Sequence, residues 1–517
     1  MRPKRTAALL ALILVLACAL RLINLGGRSL WYDEAFAVLF AETGLDAMLY
    51  GTLTPVAGGA ADIHPLLYYV SLDGWMSLFG QSPVAVRLWS AVLGVATVGL
   101  MFVLGRDLFG ERTGLTAALI TAVAPFHVQY SQETRMYALL GLLLVAATIC
   151  FVRAWRSADS RRWLGWGLFG VLAGLAMYTQ QLAAFYLVAL ALVPLLARQP
   201  KPLAGVISGG VIAVVIYLPW LVNLPGQLNK VRSYYWLNPP NAAQPLLTLR
   251  SFLVVNLDIS APGSLIGFLS ALFIALFLLI QVVLFLRRRR ARNHRHALLL
   301  VLWLAAAPPA LMWLVSQVQP VYLERALLPS ALMLYLALAW LFTQGGLPRP
   351  IVALVGGVGL VLVGIGLTAH YSWATFPNSP FDRATVYIRD HWQAGDVVVH
   401  QNKLTALPMM YYGRDLTQRY LGDLPGSSQD TLALPTQETL GLLADTCVQA
   451  AAQGSRVWWT VFDFAADQYA AVNRTDYADA VNWLDAHFIQ ADAQRFNDLD
   501  IILYTDPDTG AQAADCR

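Results

Sequence analysis

This chain has little charge for its length. Only 13% of its 517 residues are Asp, Glu, Lys or Arg, and 57% are hydrophobic. A soluble domain carries roughly 25% charged residues. Depletion on this scale means that most of the chain is solvated by lipid. Cysteine is scarce too: the four, at 18, 150, 447 and 516, include no C-x-x-C pair, so a zinc or redox motif is unsupported. Cys18 and Cys150 lie in apolar stretches and read as small hydrophobes. Cys447 and Cys516 fall in the polar C-terminal region and are able to pair if that region is exported, although separation alone does not establish a bridge. No basic, aromatic-interleaved stripe is present, which excludes a nucleic-acid partner. No internal repeat of fixed period is apparent.

What the chain does have is long apolar runs. A membrane span needs about 20 apolar residues, and this ruler gives eleven: 7–25, 84–105, 113–129, 136–153, 163–180, 182–197, 203–222, 262–286, 297–316, 326–344 and 350–368. The first follows a basic stub, and VLAC loosely fits a lipoprotein cleavage site. The absence of a small-x-small signal, and the many later spans, favour an uncleaved helix. Residues 64–80 are apolar enough for a twelfth span but carry Asp73 with several Tyr and Trp, the composition of a helix lying in the interface.

Loop charge decides the count. With eleven spans, Arg2, Lys4, Arg5, Arg106, Arg112, Arg153, Arg156, Arg161, Arg162, Arg198, Lys201, the run Arg287 to Arg290 and Arg349 all fall on one face. The positive-inside rule makes that face cytoplasmic. A twelfth span would break the agreement. The opposite face receives residues 26–83, the 130–135 turn, Gln180-Gln181, the 223–261 loop, residues 317–325 and everything after 369. Residues 1–369 thus read as an all-α polytopic membrane domain of the plasma (inner) membrane, with the N-terminus cytoplasmic. In 370–517 charge returns, and the runs 397–400, 457–462 and 501–505 read as strands alternating with helices such as FDRATVYIRDHW. This stretch is expected to be a small α/β extracytoplasmic domain.

Four polar clusters interrupt apolar sequence on the outward side: GGRSLWYDEAF with Asp33 and Glu34, ADIHPLLYY with Asp62 and His64, QYSQETRMY with Glu133 and Arg135, and YLERALLPS with Glu324 and Arg325. Arg87 stands near the head of the second span. Charge inside a membrane helix costs about 2.5–3.5 kcal/mol at its centre. Arg87, Arg135 and Arg325 also oppose the positive-inside trend. A snorkelling or ion-paired network explains any one of them. Three such arginines on the same face as three acidic sites point to a shared site. Tyr68, Tyr69, Trp75 and Tyr137 fit either an aromatic belt or a sugar-stacking surface, and Tyr234, Tyr235 and Trp236 invite the same choice within a mobile loop.

Taken in order, WYDEAF, HPLLYY, VRLWSAVLG, RDLFGERTG, YSQETRMY and YLERALLPS resemble the bacterial GT-C glycosyltransferases, membrane relatives of the protein O-mannosyltransferases and of the aminoarabinose transferase of lipid A. The resemblance covers residues 1–345 and is densest over 28–140. It implies transfer of a sugar from a polyprenyl-phosphate donor to a glycan, lipid or protein acceptor at the outer membrane face, with inversion. It implies no nucleotide cofactor and leaves a divalent metal open. The donor phosphate needs cations, and Arg87, Arg135 and Arg325 are available. The acceptor hydroxyl needs a base, for which the resemblance offers Asp33, supported by Glu34. Glu133 or Arg135 occupies a position where relatives carry aspartate. Asp62, His64, Glu324 and Tyr137 are candidates for substrate or metal contact. The alternative class is a transporter or flippase of lipid-linked sugars. Transporters usually carry paired repeats and midplane sites, whereas these clusters gather at one edge.

Overall fold

The computed structural model describes residues 3–506, apart from 57–58, 200, 234–236, 255–268, 270–271, 282, 284–294, 347, 374–376, 423–431 and 472. The protein is mostly helical. Among the described residues, seven helices are long and apolar enough to cross a membrane. They are α1 (Pro3–Leu22), α5 (Pro83–Phe109), α8 (Tyr137–Arg156), α11 (Leu203–Leu221), α15 (Arg295–Ser316), α16 (Leu328–Gln344, entered through a 3-10 turn at Glu324–Leu327) and α17 (Arg349–Ser372).

The other expected spans take different forms. Residues 113–129 are broken into α6 (Glu111–Val123) and α7 (Pro125–Ser131), because Pro125 cannot donate into the helix before it. Residues 163–180 form α9 (Arg162–Thr179), and α10 (Ala183–Leu196) is shorter. Of 262–286, the described part is the short apolar helix α14 (Leu272–Gln281). Residues 64–80 give α4 (Leu67–Phe79). Its 13 residues extend about 20 Å, too short to cross about 30 Å of hydrocarbon.

Close packing sets the bundle. α5 starts on a Ser82 cap that accepts from Ala85 N, with Pro83 in the first turn. It ends at Gly110, whose φ of 97° turns the chain sharply into α6. A Cβ on Gly105 would stand 2.9 Å from Gly114 Cα. Small residues there let α5 and α6 approach backbone to backbone, the usual device where lipid removes the hydrophobic drive for association.

Between α1 and α5 the chain forms α2 (Tyr32–Ala41), α3 (Leu45–Leu53) and a two-residue hairpin of β1 (Pro55–Val56) with β2 (Gly59–Ala60). Between α11 and α15 lie α12 (Leu224–Ser233) and α13 (Gln244–Val254). The expected loop aromatics Tyr234, Tyr235 and Trp236, the Arg287–Arg290 run and Cys516 fall outside the described residues. Cys447 is disulfide-bonded, and Cys18 and Cys150 are free.

After α17, the expected strands appear as β3 (Asp396–His400), β6 (Arg456–Phe462) and β8 (Leu499–Thr505). Together with β4 (Gln418–Leu421), β5 (Ala444–Asp445) and β7 (Ile489–Phe496) they make one sheet in the order β5-β4-β3-β6-β8-β7. The first four strands are parallel; β8 runs antiparallel to both of its neighbours, β6 and β7. One apolar core lies on each sheet face. The FDRATVYIRDHW pattern forms α18 (Phe381–Asp390).

This region packs on residues 26–53. α19 (Lys403–Tyr412) contributes Ala406 and Leu407 to the same core as the membrane helices. Leu30 N donates to Tyr412 Oη at 2.8 Å, Ser29 bonds Asp382, and Arg414 grips Glu42 at 2.9 Å through each of two nitrogens.

Candidate active site

Trp31 opens α2 without a side-chain cap. The first amides of the helix keep their positive partial charge, so Asp33 and Glu34 occupy a turn that favours anions. Adjacent helical side chains diverge by about 100°, and the two carboxylates therefore meet different partners.

Glu34 is fully buried against Arg87, which is 1% exposed. Arg87 Nε and Nη2 donate to the two carboxylate oxygens at 2.8 and 2.6 Å, and Thr134 N adds a third bond at 3.0 Å. The remaining Arg87 N–H groups reach the carbonyls of Leu25, Arg28 and Ser29 at 2.9, 2.7 and 3.1 Å. All five donors of this guanidinium are taken. This corrects the expectation that Arg87 meets a phosphate: it fixes the loop ahead of Asp33 instead. Burial pushes the Glu34 carboxyl up, but Arg87 outweighs it and holds the group below its ordinary range.

Asp33 faces the other way. Arg325 Nη1 donates to its Oδ2 at 2.7 Å, and Arg135 Nε stands 3.7 Å from the same oxygen. Arg135 Nη1 also donates to the Asp33 carbonyl at 3.3 Å. Asp33 Oδ1 accepts no hydrogen bond from the described residues. Burial pushes this carboxyl up; Arg135 and Arg325 pull it further down, so it stays ionised. The Nε–H groups of Arg135 and Arg325 have no hydrogen-bond partner among the described residues.

Glu133 lies between α7 and α8, buried, with an Oε1 that has no hydrogen-bond partner among the described residues. Burial pushes it up to about 7; Arg325 opposes this, while Glu34 and Asp33 add to it. Arg28 stands near Glu34 and Glu133, its guanidinium 4.1 Å over the Trp373 ring. Sequence reasoning passed over Arg28, although it lies inside the GGRSLWYDEAF cluster.

The remaining candidates divide. Tyr137 is buried with Arg325 5.3 Å over its ring. Tyr68 and Tyr69 are wholly buried too, so none of the three serves a lipid-facing belt. Trp75 is half-buried, stacks on Phe79 and Trp89, and donates to Ala85 O at 2.8 Å. Glu324 accepts from Gln244 and Thr248 at 2.9 and 3.0 Å and from Ser251 at 2.9 Å. Those donors repeat at i, i+4 and i+7 along one face of α13, so α13 holds the turn that carries Arg325. Asp62 Oδ1 pairs with His64 Nδ1 at 3.0 Å, and His64 is close enough to Asp33 to lower that carboxyl. Asp33, Glu34, Asp62, His64, Glu133, Arg135 and Arg325 thus come together. Among the described residues no three His, Cys, Asp or Glu side chains are grouped to hold a metal ion.

Residues 63–222 match the family described as dolichyl-phosphate-mannose-protein mannosyltransferase. YycA of Bacillus subtilis (strain 168), named as a candidate mannosyltransferase, is 24% identical over 257 residues, covering 48% of this chain and 36% of its own length. This chain thus spans about a third of that curated relative. ArnT from Cupriavidus metallidurans has the same fold in the apo state (TM-score 0.63, 12% identity) and bound to undecaprenyl phosphate (0.59, 14%), each over 95% of this chain and 97% of that one. The apo oligosaccharyltransferase of Archaeoglobus fulgidus follows at 0.53 and 13%, over 93% of this chain and 73% of that one. The chain thus carries, in residues 63–222, a segment that matches the dolichyl-phosphate-mannose-protein mannosyltransferase family, within a fold that it shares over nearly its whole length with ArnT.

Proposed function

We propose that this enzyme moves a sugar from a polyprenyl-phosphate donor to an acceptor hydroxyl at the extracytoplasmic face of the plasma membrane. The observation that carries the reading is Asp33 set against Arg325 and Arg135, with one carboxylate oxygen open and guanidinium N–H groups left over. Undecaprenyl phosphate bound to ArnT supports a donor of this class.

In this reading Arg325 and Arg135 neutralise the donor phosphate. Asp33 Oδ1 takes the acceptor proton as the acceptor oxygen bonds to the anomeric carbon. The bond from that carbon to the phosphate oxygen breaks, and polyprenyl phosphate leaves as its anion. Attack opposite the leaving group inverts the centre. No strong general acid is needed, because phosphate departs as a stable anion.

We count eleven crossings, adding α6–α7, α9, α10 and α14 to the seven long helices. The basic loops are cytoplasmic, and the sheet domain covers the site from outside. Incubating the full-length protein with a panel of undecaprenyl-phosphate sugars tests the reading: released undecaprenyl phosphate supports it, and inertness toward the whole panel removes it.

A further inference from the structure

The helix that carries the acidic pair is held by the sheet domain as well as by the membrane bundle. Ser29 and Leu30 precede α2, and the peptide unit between them is gripped on both sides. Arg87 Nη2, on α5, donates to its carbonyl at 3.1 Å. Tyr412, the last residue of α19, accepts from its N–H through Oη at 2.8 Å. A peptide unit is planar, and its C=O and N–H point in opposite directions. Partners on opposite edges therefore fix its plane, and with it the direction in which the chain enters α2.

The same end of α19 also reaches the far end of that helix. Arg414 donates to both carboxylate oxygens of Glu42, the residue that closes α2, at 2.9 Å each. Between these two grips α19 and α2 pack against one another. Tyr411 donates to the Gln81 carbonyl, just ahead of the Ser82 cap of α5. Asp382, in the first turn of α18, accepts from the Ser29 hydroxyl and returns its own N–H to that oxygen at 3.2 Å.

Ordinary docking of one domain on another does not require bonds at this spot. A second junction joins the same two regions: on α20 (Leu434–Leu440), Thr436 and Thr439 donate to the carbonyls of Gly51 and Ala47 at 2.8 and 3.2 Å. That junction holds α3, which carries none of the candidate site residues. The Tyr412 bond instead falls three residues before Asp33. Resting on the transferase reading above, we propose that Tyr412 is a positioning residue, setting the entry of α2 so that Asp33 meets the acceptor. The sheet domain is then a working part of the site.

The test uses full-length protein and the undecaprenyl-phosphate sugar that gives the fastest carrier release. Tyr412→Phe removes one oxygen and keeps the ring. Its kcat is expected to fall about tenfold, since a misplacement of about 1 Å costs up to about 10²-fold. Donor KM should stay unchanged, because Arg325 and Arg135 lie outside α2. Thr436→Val removes a bond of the same kind from the α3 junction, and its kcat is expected to match wild type. Arg414→Glu is expected to lower kcat as Tyr412→Phe does, and adding Glu42→Arg to restore most of it. Wild-type kcat in a folded Tyr412→Phe, equal losses in Tyr412→Phe and Thr436→Val, or a change confined to KM overturns the positioning role and leaves the transferase reading intact. A wild-type protein inert toward every donor overturns both. Should Tyr412→Phe not fold, the charge swap decides: restored rate supports the proposal, and a rate that Arg414→Glu leaves unchanged, or that Glu42→Arg leaves low, overturns it.

Discussion

Arg87 and Glu34 form a closed unit: a two-pronged ion pair at 2.8 and 2.6 Å, wholly buried, whose spare N–H groups hold three carbonyls of the loop that leads into α2. This pair sets the backbone from which Asp33 projects. The motif therefore combines two carboxylates with separate partners, one locked to Arg87 and the other set against Arg325 and Arg135.

Glu34→Gln is expected to damage folding. Removing one partner of a buried pair leaves an uncompensated charge and costs about 3–5 kcal/mol. Thermal unfolding of the detergent-solubilised protein should show a large loss of stability. A variant as stable as wild type would mean that Arg87 is not held in the way described.

Glu133 should make stability depend on pH. Its folded value of about 7 lies above the ordinary 4.5, so the fold retains a proton that the unfolded chain gives up. The associated stability is complete below about pH 4.5 and is lost as pH rises through 7, by up to roughly 3 kcal/mol. Glu133→Gln should flatten that decline in melting curves recorded from pH 5 to 8. An unchanged slope would place its source elsewhere.

The clamp from α13 should matter for rate more than for folding. Thr248→Val with Ser251→Ala removes two of the three donors to Glu324. Each hydrogen bond to a charged group is worth about 1.5–3 kcal/mol, and its loss frees the turn that aims Arg325 at Asp33. Carrier release should fall about tenfold while the protein still purifies as a single species. An unaltered rate would show that Arg325 needs no support from α13.

Much of this was legible in the sequence, for identifiable reasons. Asp33, Glu133, Arg135 and Arg325 stood out because charge is costly beside a membrane, and they do converge. Arg87 stood out by the same rule, but sequence could not show that Leu25, Arg28, Ser29 and Glu34 exhaust its donors. That depends on the tertiary path of the 25–31 loop. Glu324 read as a candidate for substrate or metal contact because its three neutral partners lie 73 to 80 residues away; only the spacing of Gln244, Thr248 and Ser251 hinted at a polar helix face. Hydropathy found the long helices and misjudged the form of 113–129, where Pro125 divides one apolar run into α6 and α7. The strands at 397–400, 457–462 and 501–505 were readable from dense β-branched and aromatic residues, whereas β7, exposed along nearly its whole length, has no such pattern.

The central claim is tested most directly by Asp33→Asn. The substitution keeps the size of the side chain but removes the charge between Arg325 and Arg135 and the capacity to take a proton. Release of undecaprenyl phosphate from a sugar donor that wild type consumes should vanish, while the variant elutes and melts as a folded protein. A folded Asp33→Asn enzyme that releases carrier at the wild-type rate would contradict the account.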